Sequence, residues 1–134
     1  YLRQIEKTSN IYLLQYSYGT LFSTIENYNL AARHFEMAID EMRKQNITGD
    51  DLAVVISMLS VCHMNTGQVE LAVSEIEEAI TIIESTEIEP EVYNQRSIYH
   101  NSNLLGIYQK AGGIYYEHHD IKQAIEYKLK KIFN

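Results

Sequence analysis

Two short groups of side chains have the types that chemistry needs, and the first is the adjacent pair Cys62 and His63. A thiol nucleophile and its general base must face each other within hydrogen-bonding distance. Neighbouring side chains on a helix point about 100° apart, so the two groups do not meet if this segment is helical. We therefore interpret Cys62 as a small buried apolar residue and not as a catalytic thiol.

The second group is the run Glu117-His118-His119-Asp120, which contains four consecutive residues of metal-ligand type. Zinc sites on helices use ligands three or four residues apart, and these four also fall where the helical pattern breaks. We interpret the histidines as turn residues and Asp120 as the N-cap of the next helix. The only glycine pair lies within a helical pattern, which excludes a phosphate-binding loop. The sequence therefore predicts no catalytic residue, no metal site, no cofactor and no enzyme activity in this segment.

Composition indicates one globular domain without a nucleic-acid or membrane surface. The 134 residues are 46% hydrophobic and 22% charged, with a net charge of −7. Phosphate binding needs clustered basic residues, and the only basic cluster is Lys128, Lys130 and Lys131. No apolar run approaches the ~18 residues of a membrane-spanning helix, and there is no targeting leader. Because the single cysteine fits a reducing compartment, we expect a cytoplasmic protein. The first residue is Tyr1 and not methionine, so we also expect this segment to be a piece excised from a longer chain.

The elements that would position any site are predicted by a repeated spacing of small residues. Three times a small residue stands twelve positions before an alanine: Gly19 and Ala31, Ser60 and Ala72, and Gly112 and Ala124. In two copies an apolar residue and a second alanine follow, namely Phe35 with Ala38 and Ile76 with Ala79. Crossing helices need small residues at the crossing and a bulky one beside it. This pattern predicts stacked helical hairpins.

Helical periodicity runs almost throughout the chain and predicts six main helices, over about 10–26, 28–45, 50–65, 68–85, 90–118 and 120–134. Thr48 or Asp50 is the candidate N-cap of the third helix. A break near residues 101–103 is the alternative to one long fifth helix. Residues 1–8 are either a leading turn of the first helix or the remnant of an upstream repeat.

The three copies can be aligned if Tyr12, Ala53 and Leu105 each take position one. Position eight then holds the small residues Gly19, Ser60 and Gly112, and position twenty holds the three alanines. Position eleven holds Phe22, His63 and Tyr115. Positions sixteen and seventeen hold Asn27-Tyr28, Gln68-Val69 and Asp120-Ile121. This pattern resembles the tetratricopeptide repeat. The resemblance implies an all-α, superhelical solenoid of antiparallel helix hairpins. It would form one domain, 1–134, with repeats of about 12–45, 53–86 and 105–134, a leading segment 1–11, and an extension of the third repeat over 87–104.

The sequence departs from the family pattern in three ways. The first positions lie farther apart than the about 34 residues of the standard repeat, and so resemble the extended repeats of kinesin light chains, spindle-orientation adaptors and Rap-type peptide-pheromone receptors. Tryptophan is absent from position four. The third copy has Lys128 and Lys131 where the pattern has an aromatic residue and alanine, which predicts either a polar cap or a shifted register there.

The resemblance also implies a concave groove lined by the first helix of each hairpin. Carried onto this sequence, its peptide-binding residues are Leu13, Tyr16, Thr20, Val54, Ser57, Val61, Met64, Asn65, Gln109 and Tyr116. This lining is neutral and partly apolar, with Lys110 as its one basic neighbour. The expected function is a module that binds a protein or a peptide, either extended or as an amphipathic helix, as a scaffold, adaptor or regulatory ligand domain. The alternative is a self-associating segment that forms homo-oligomers.

Overall fold

The computed structural model describes residues 11–86, 95–118 and 120–133, apart from the side chain of Ile121. The described residues form six helices and no strand: α1 (Ile11–Thr24), α2 (Tyr28–Lys44), α3 (Asp50–Asn65), α4 (Val69–Glu84), α5 (Gln95–Glu117) and α6 (Ile121–Phe133). The all-α class is therefore confirmed for this part of the chain. None of these six helices combines the length and the apolarity that crossing a membrane requires.

Two helices begin at side chains that cap them, Asn27 and Asp120, of which the sequence predicts Asp120 as a cap. The Asn27 side-chain oxygen accepts a hydrogen bond from the backbone N–H of Leu30 at 3.4 Å, at the start of α2. The Asp120 carboxylate accepts one from the backbone N–H of Gln123 at 3.3 Å, at the start of α6. Each side chain satisfies an N–H that the first turn of a helix leaves unpaired.

The predicted cap of α3 is wrong. Gly49 precedes this helix with a φ of 77°, a conformation that glycine adopts without the penalty of a Cβ, and no side chain caps the helix. Neither Thr48 nor Asp50 has the predicted role. The carboxylate of Asp50 instead accepts hydrogen bonds from His100 and Asn103 on α5.

The fifth helix is continuous through residues 101–103, so the prediction of one long helix is confirmed from Gln95 onward and the alternative break is wrong. The predicted start of this helix near residue 90 lies outside the described residues. The two interpretations of residues 1–8 also lie outside them.

Each helix packs on its neighbour in the chain, which gives three helix pairs: α1 with α2, α3 with α4, and α5 with α6. The first two pairs join where α2 packs on α3. The third pair joins the second because α5 packs on both α3 and α4. The core contains Phe35, Met42, Ile56, Ile76 and Ile107, which are almost completely buried.

The repeated small residues are buried where the two helices of a pair approach closely. A Cβ at Gly19 would lie 2.6 Å from the ring of Phe35. A Cβ at Gly112 would lie 3.1 Å from Cγ of Lys128, and Ser60 is fully buried. The aliphatic chain of Lys128 thus covers Gly112 as the Phe35 ring covers Gly19. The register therefore does not shift in the third pair, although a lysine replaces the aromatic residue.

A contact between the two helices of each pair recurs at corresponding positions. In every pair the residue at position twenty-three lies against the residue at position eleven: His34 stacks on Phe22, Glu75 accepts a hydrogen bond from His63, and Tyr127 stacks on Tyr115. Similar contacts at the same three places show that the helix pairs are built alike, although the side chains differ in charge and shape.

Contacts between successive pairs recur as well. Position twenty-five of one pair faces position eleven of the next, first as Glu36 with His63 at 3.4 Å and then as Glu77 with Tyr115 at 2.7 Å. Two ion pairs form a second recurring contact, between position thirty-two of one pair and position twenty-six of the next: Arg43 with Glu78, and Glu84 with Lys130. The two junctions therefore share these two side-chain contacts.

Candidate functional site

An open cleft of about 710 Å³ lies between α3 and α5. We call it the α3–α5 cleft, and it is lined by Val61, Met64, Asn65, Gly106, Gln109, Lys110, Gly113, Ile114 and Glu117. The two glycines contribute to its size, because a Cβ at either would meet nothing within 4 Å. Val61, Met64 and Ile114 make its walls partly apolar.

Two amides in this cleft each keep one polar group available. The Asn65 Nδ2 donates to the carbonyl of Val61 at 2.8 Å, and the Gln109 Oε1 accepts from Lys131 at 2.8 Å. Within the described part of the chain, the Asn65 oxygen and the Gln109 Nε2 make no hydrogen bond. Asn65 therefore offers an acceptor and Gln109 offers a donor, the two groups that a peptide bond needs.

Lys110 is the one basic side chain that lines the α3–α5 cleft. It is half-buried, and this burial lowers the pKa of its ammonium group because the charged form loses hydration. Among the described residues, no carboxylate forms an ion pair with Lys110 and no acceptor forms a hydrogen bond with it. The cleft thus contains a partly desolvated cation that forms no ion pair among the described residues, and the carboxylate of Glu117 lines the same cleft.

A smaller cleft of about 150 Å³ lies where α1, α2, α3 and α5 meet. We call it the α1–α3 cleft, and it is lined by Tyr12, Leu13, Tyr16, Met42, Asp51, Val54, Val55 and Tyr99. The Tyr99 hydroxyl donates to the Asp51 carboxylate at 2.6 Å. This hydrogen bond and partial burial raise the pKa of Tyr99, because both favour the protonated phenol.

Seven of the ten predicted groove residues line one of these clefts. Val61, Met64, Asn65 and Gln109 lie together in the α3–α5 cleft, whereas Leu13, Tyr16 and Val54 lie together in the α1–α3 cleft. The two groups are connected through α3. Its residues Val54, Val61 and Asn65 follow one another at spacings of seven and four, which places them on one face of the helix.

Three predicted groove residues line neither cleft. Ser57 is completely buried and donates its hydroxyl to the carbonyl of Val54, so its predicted place in the groove is wrong. Ser57 lies three residues after Val54 and four before Val61, at the edge of the groove face, where its short side chain is completely covered. Thr20 bonds back to the carbonyl of Tyr16, and Tyr116 is 60% exposed on α5.

Several lining residues were not among the predicted groove residues, including Lys110, Asp51 and Tyr99. Lys110 occupies position six of the third copy, and its charge was the available signal. Asp51 on α3 and Tyr99 on α5 are 48 residues apart in the chain, and their side chains meet in the folded protein. No local spacing could have predicted that hydrogen bond, because it depends on how α5 packs on α3.

Cys62 is a buried core residue, as the sequence predicts. Burial, followed by the negative charge of Glu75, raises the pKa of its thiol to about 11. The ring of His63 contacts a different group, since its Nδ1 lies 2.6 Å from the Glu75 carboxylate. Burial also raises the pKa of Glu75. The thiol and the imidazole therefore do not form a nucleophile and base pair.

Within the described ranges, no group of three or more histidine, cysteine or acidic side chains could hold a metal ion. In the run at residues 117–120, His118 Nε2 pairs with Glu70 of α4 at 2.9 Å and Asp120 caps α6. His119 lies outside the described residues.

Comparison with known proteins gives no further information about this site. No protein-family model matches the chain, and neither the curated proteins nor the solved structures include a significant match.

Proposed function

We propose that this chain is a helical-repeat module that binds a protein or peptide in a groove formed by α1, α3 and α5. The observation that carries the proposal is the α3–α5 cleft. Its volume is within the range of protein ligand sites, its walls are partly apolar, and its polar groups are available to a ligand. These features favour an extended segment with apolar anchors over a compact cofactor.

The proposed architecture is a superhelical solenoid of antiparallel hairpins that resembles the tetratricopeptide repeat. The recurring contacts within and between the helix pairs support it, because side chains at corresponding positions meet in successive pairs. In such an arrangement the first helix of each pair lies on the inner side. The α1–α3 cleft would then be a second, smaller part of the same groove.

The chemistry of the cleft indicates how a peptide would bind. Val61 and Met64 would contact an apolar side chain, while the Asn65 oxygen and the Gln109 Nε2 would pair with one peptide group. The unpaired ammonium of Lys110 favours a ligand with one carboxylate near that anchor. Since only one cation lines the cleft, affinity would fall modestly as salt increases.

A displayed library of random peptides tests the proposal. Peptides selected on the chain are synthesised with a fluorescent label and titrated by anisotropy against the chain and its variants. We expect Asn65→Ala to bind about tenfold more weakly, since it leaves a peptide group unpaired. Val61→Asp should bind more weakly still, because a carboxylate replaces an apolar contact.

Thr81→Ala is the matched control, because Thr81 is exposed on α4, which is outside the proposed groove, and lines neither cleft. We expect it to bind the selected peptides as the parent does, and thermal melting of each variant confirms that it is folded. If the peptides bind Val61→Asp and Asn65→Ala as tightly as the parent, ligands bind elsewhere and the proposed groove is wrong.

A further inference from the structure

The outer face of α1 carries an exposed apolar stripe. Leu14, Tyr18, Leu21 and Ile25 follow at spacings of four, three and four, so they lie along one side of the helix. All four are exposed, with Leu21 at 56%. Helix α1 contains no charged residue, and among the described helices it packs mainly on α2. We call these four residues the α1 end face.

A second exposed apolar stripe lies on α6, in the last helix pair. Ile125, Leu129 and Ile132 lie along one side of this helix and are all exposed, with Ile132 at 71%. Among the described helices, α6 packs mainly on α5. We call these three residues the α6 end face.

The α1 end face corresponds to an interface inside the molecule. Leu14, Tyr18 and Leu21 occupy positions three, seven and ten of the first pair. The residues at these positions in the later pairs are Val55, Leu59 and Cys62 on α3 and Ile107, Ala111 and Ile114 on α5, and all six are buried. Val55 shares a cleft wall with Met42 of α2, as Leu59 does with Ile39. The α1 end face is therefore the surface on which a preceding pair would stack.

The α6 end face corresponds to the other side of that interface. Ile125 and Ile132 occupy positions twenty-one and twenty-eight of the third pair. In the first pair these positions hold Ala32 and Ile39, which are buried at the junction between α2 and α3. The α6 end face is therefore the surface on which a following pair would stack.

The two ends of the molecule also match each other at the positions that form polar contacts at the internal junctions. At those junctions, position twenty-five of one pair faces position eleven of the next, with Glu36 and Glu77 as the acceptors. At the ends, position twenty-five is Leu129 and position eleven is Phe22. The contact that is polar inside the molecule is thus apolar on both end faces.

We propose that a second copy of this chain stacks head to tail on the first, with α6 of one copy packed on α1 of the next as α2 packs on α3. Leu129 of one copy then meets Phe22 of the other, while Ile125 and Ile132 cover Leu21 and its neighbours. Such a contact joins two different surfaces, so it continues from copy to copy. The inference rests on the repeat register of the proposed function but not on its peptide groove.

Sedimentation velocity on the purified chain and two single variants tests this arrangement. Over a rising concentration series, we expect the weight-average mass of the parent to increase beyond that of two chains. Leu21→Glu places a charge on the α1 end face, and Leu129→Glu places one on the α6 end face. Each variant alone should remain a single chain, because it has only one intact face.

Mixing the two variants distinguishes head-to-tail stacking from other association. The Leu21→Glu copy keeps its α6 face and the Leu129→Glu copy keeps its α1 face, so an equimolar mixture should give about a twofold increase in mass and then stop. Leu71→Glu is the matched control, since Leu71 is an exposed leucine on α4 outside both faces, and it should associate as the parent does.

Two results would overturn the inference. A parent that stays a single chain at every concentration would show that a second copy does not cover the faces. A parent that forms a dimer while the variant mixture does not would show symmetric association through one face. Neither result depends on peptide binding, so the proposed groove is tested separately.

Discussion

Helices α1 and α2 approach each other closely at one residue, Gly19, which lies under the ring of Phe35. Glycine in a helix interior costs about 1 kcal/mol relative to alanine, so its presence here indicates that close packing outweighs helix propensity. The ring is itself completely buried and cannot move away without disturbing the core.

We expect Gly19→Ala to lower the free energy of unfolding by about 1–3 kcal/mol, because its Cβ overlaps the Phe35 ring. Gly106→Ala is the matched control, since a Cβ there meets nothing within 4 Å and the change should raise stability by up to about 1 kcal/mol. Urea unfolding followed by circular dichroism measures both. Equal effects would contradict the close approach of α1 and α2.

The hydroxyl of Tyr115 supports a second residue-scale prediction, on alkaline stability. Burial, and then the hydrogen bond to Glu77, raises the pKa of Tyr115 above its ordinary value of 10.0. The folded protein therefore holds this proton more tightly than the unfolded chain does. The resulting stabilisation is complete below the ordinary pKa and is lost as the pH rises through the higher folded-state pKa.

Tyr115→Phe should cost about 1 kcal/mol at neutral pH, through loss of the hydrogen bond, and should lose less stability than the parent at strongly alkaline pH. Tyr116→Phe is the control, because Tyr116 is exposed on the same helix. Urea unfolding at both pH values provides the comparison. An alkaline loss as large in Tyr115→Phe as in the parent would exclude this tyrosine as a contributor.

At the scale of elements, α5 is held on α3 by a polar contact at the first residue of α3. The Asp50 carboxylate accepts from His100 at 2.8 Å and from Asn103 at 3.1 Å, and it is largely buried. Removing such an acceptor leaves two donors unpaired between the helices.

Asp50→Ala should therefore lower the free energy of unfolding by about 2 kcal/mol and speed amide hydrogen exchange in α5. Asp50→Asn keeps an acceptor oxygen and should lose less. Hydrogen exchange read by mass spectrometry measures the effect on α5. If the alanine and asparagine variants behave alike, the carboxylate does not anchor α5.

At the scale of the whole molecule, the middle helix pair packs on described helices on both sides, whereas each outer pair packs on described helices on one side. Buried residues run along most of α3, whereas Ala124 is the one buried side chain among those described in α6. Stability in such an arrangement depends on the number of neighbouring units, so it should be highest in the middle.

We expect the slowest amide exchange in α3 and α4 and the fastest in α6. If the copies stack as proposed, exchange in α1 and α6 of the parent should slow as protein concentration rises, while that of Leu129→Glu should not. Uniform exchange across all six helices would indicate that the chain unfolds as a single cooperative unit.

Much of the fold was predictable because it depends on local patterns. The spacing of small residues predicted the three helix pairs, and the predicted cap at Asp120 marked where the last helix begins. Parts of the candidate site were predictable through the register, as Val61, Met64, Asn65 and Gln109 show. Ser57 was placed wrongly, because one small residue on a mostly apolar helix gives little indication of which way it faces.

The sequence by itself determined the helices, their order and the small residues at their closest contacts, because these follow from the preferences of neighbouring residues along the chain. Only the tertiary structure decided which distant groups meet. It brought Asp50 to His100 and Asp51 to Tyr99, and it placed Lys110 and Glu117 in one cleft. Such contacts depend on the angle and offset at which one helix packs on another. The packing of the whole core sets this angle and offset, so neither can be predicted from a single segment of the sequence.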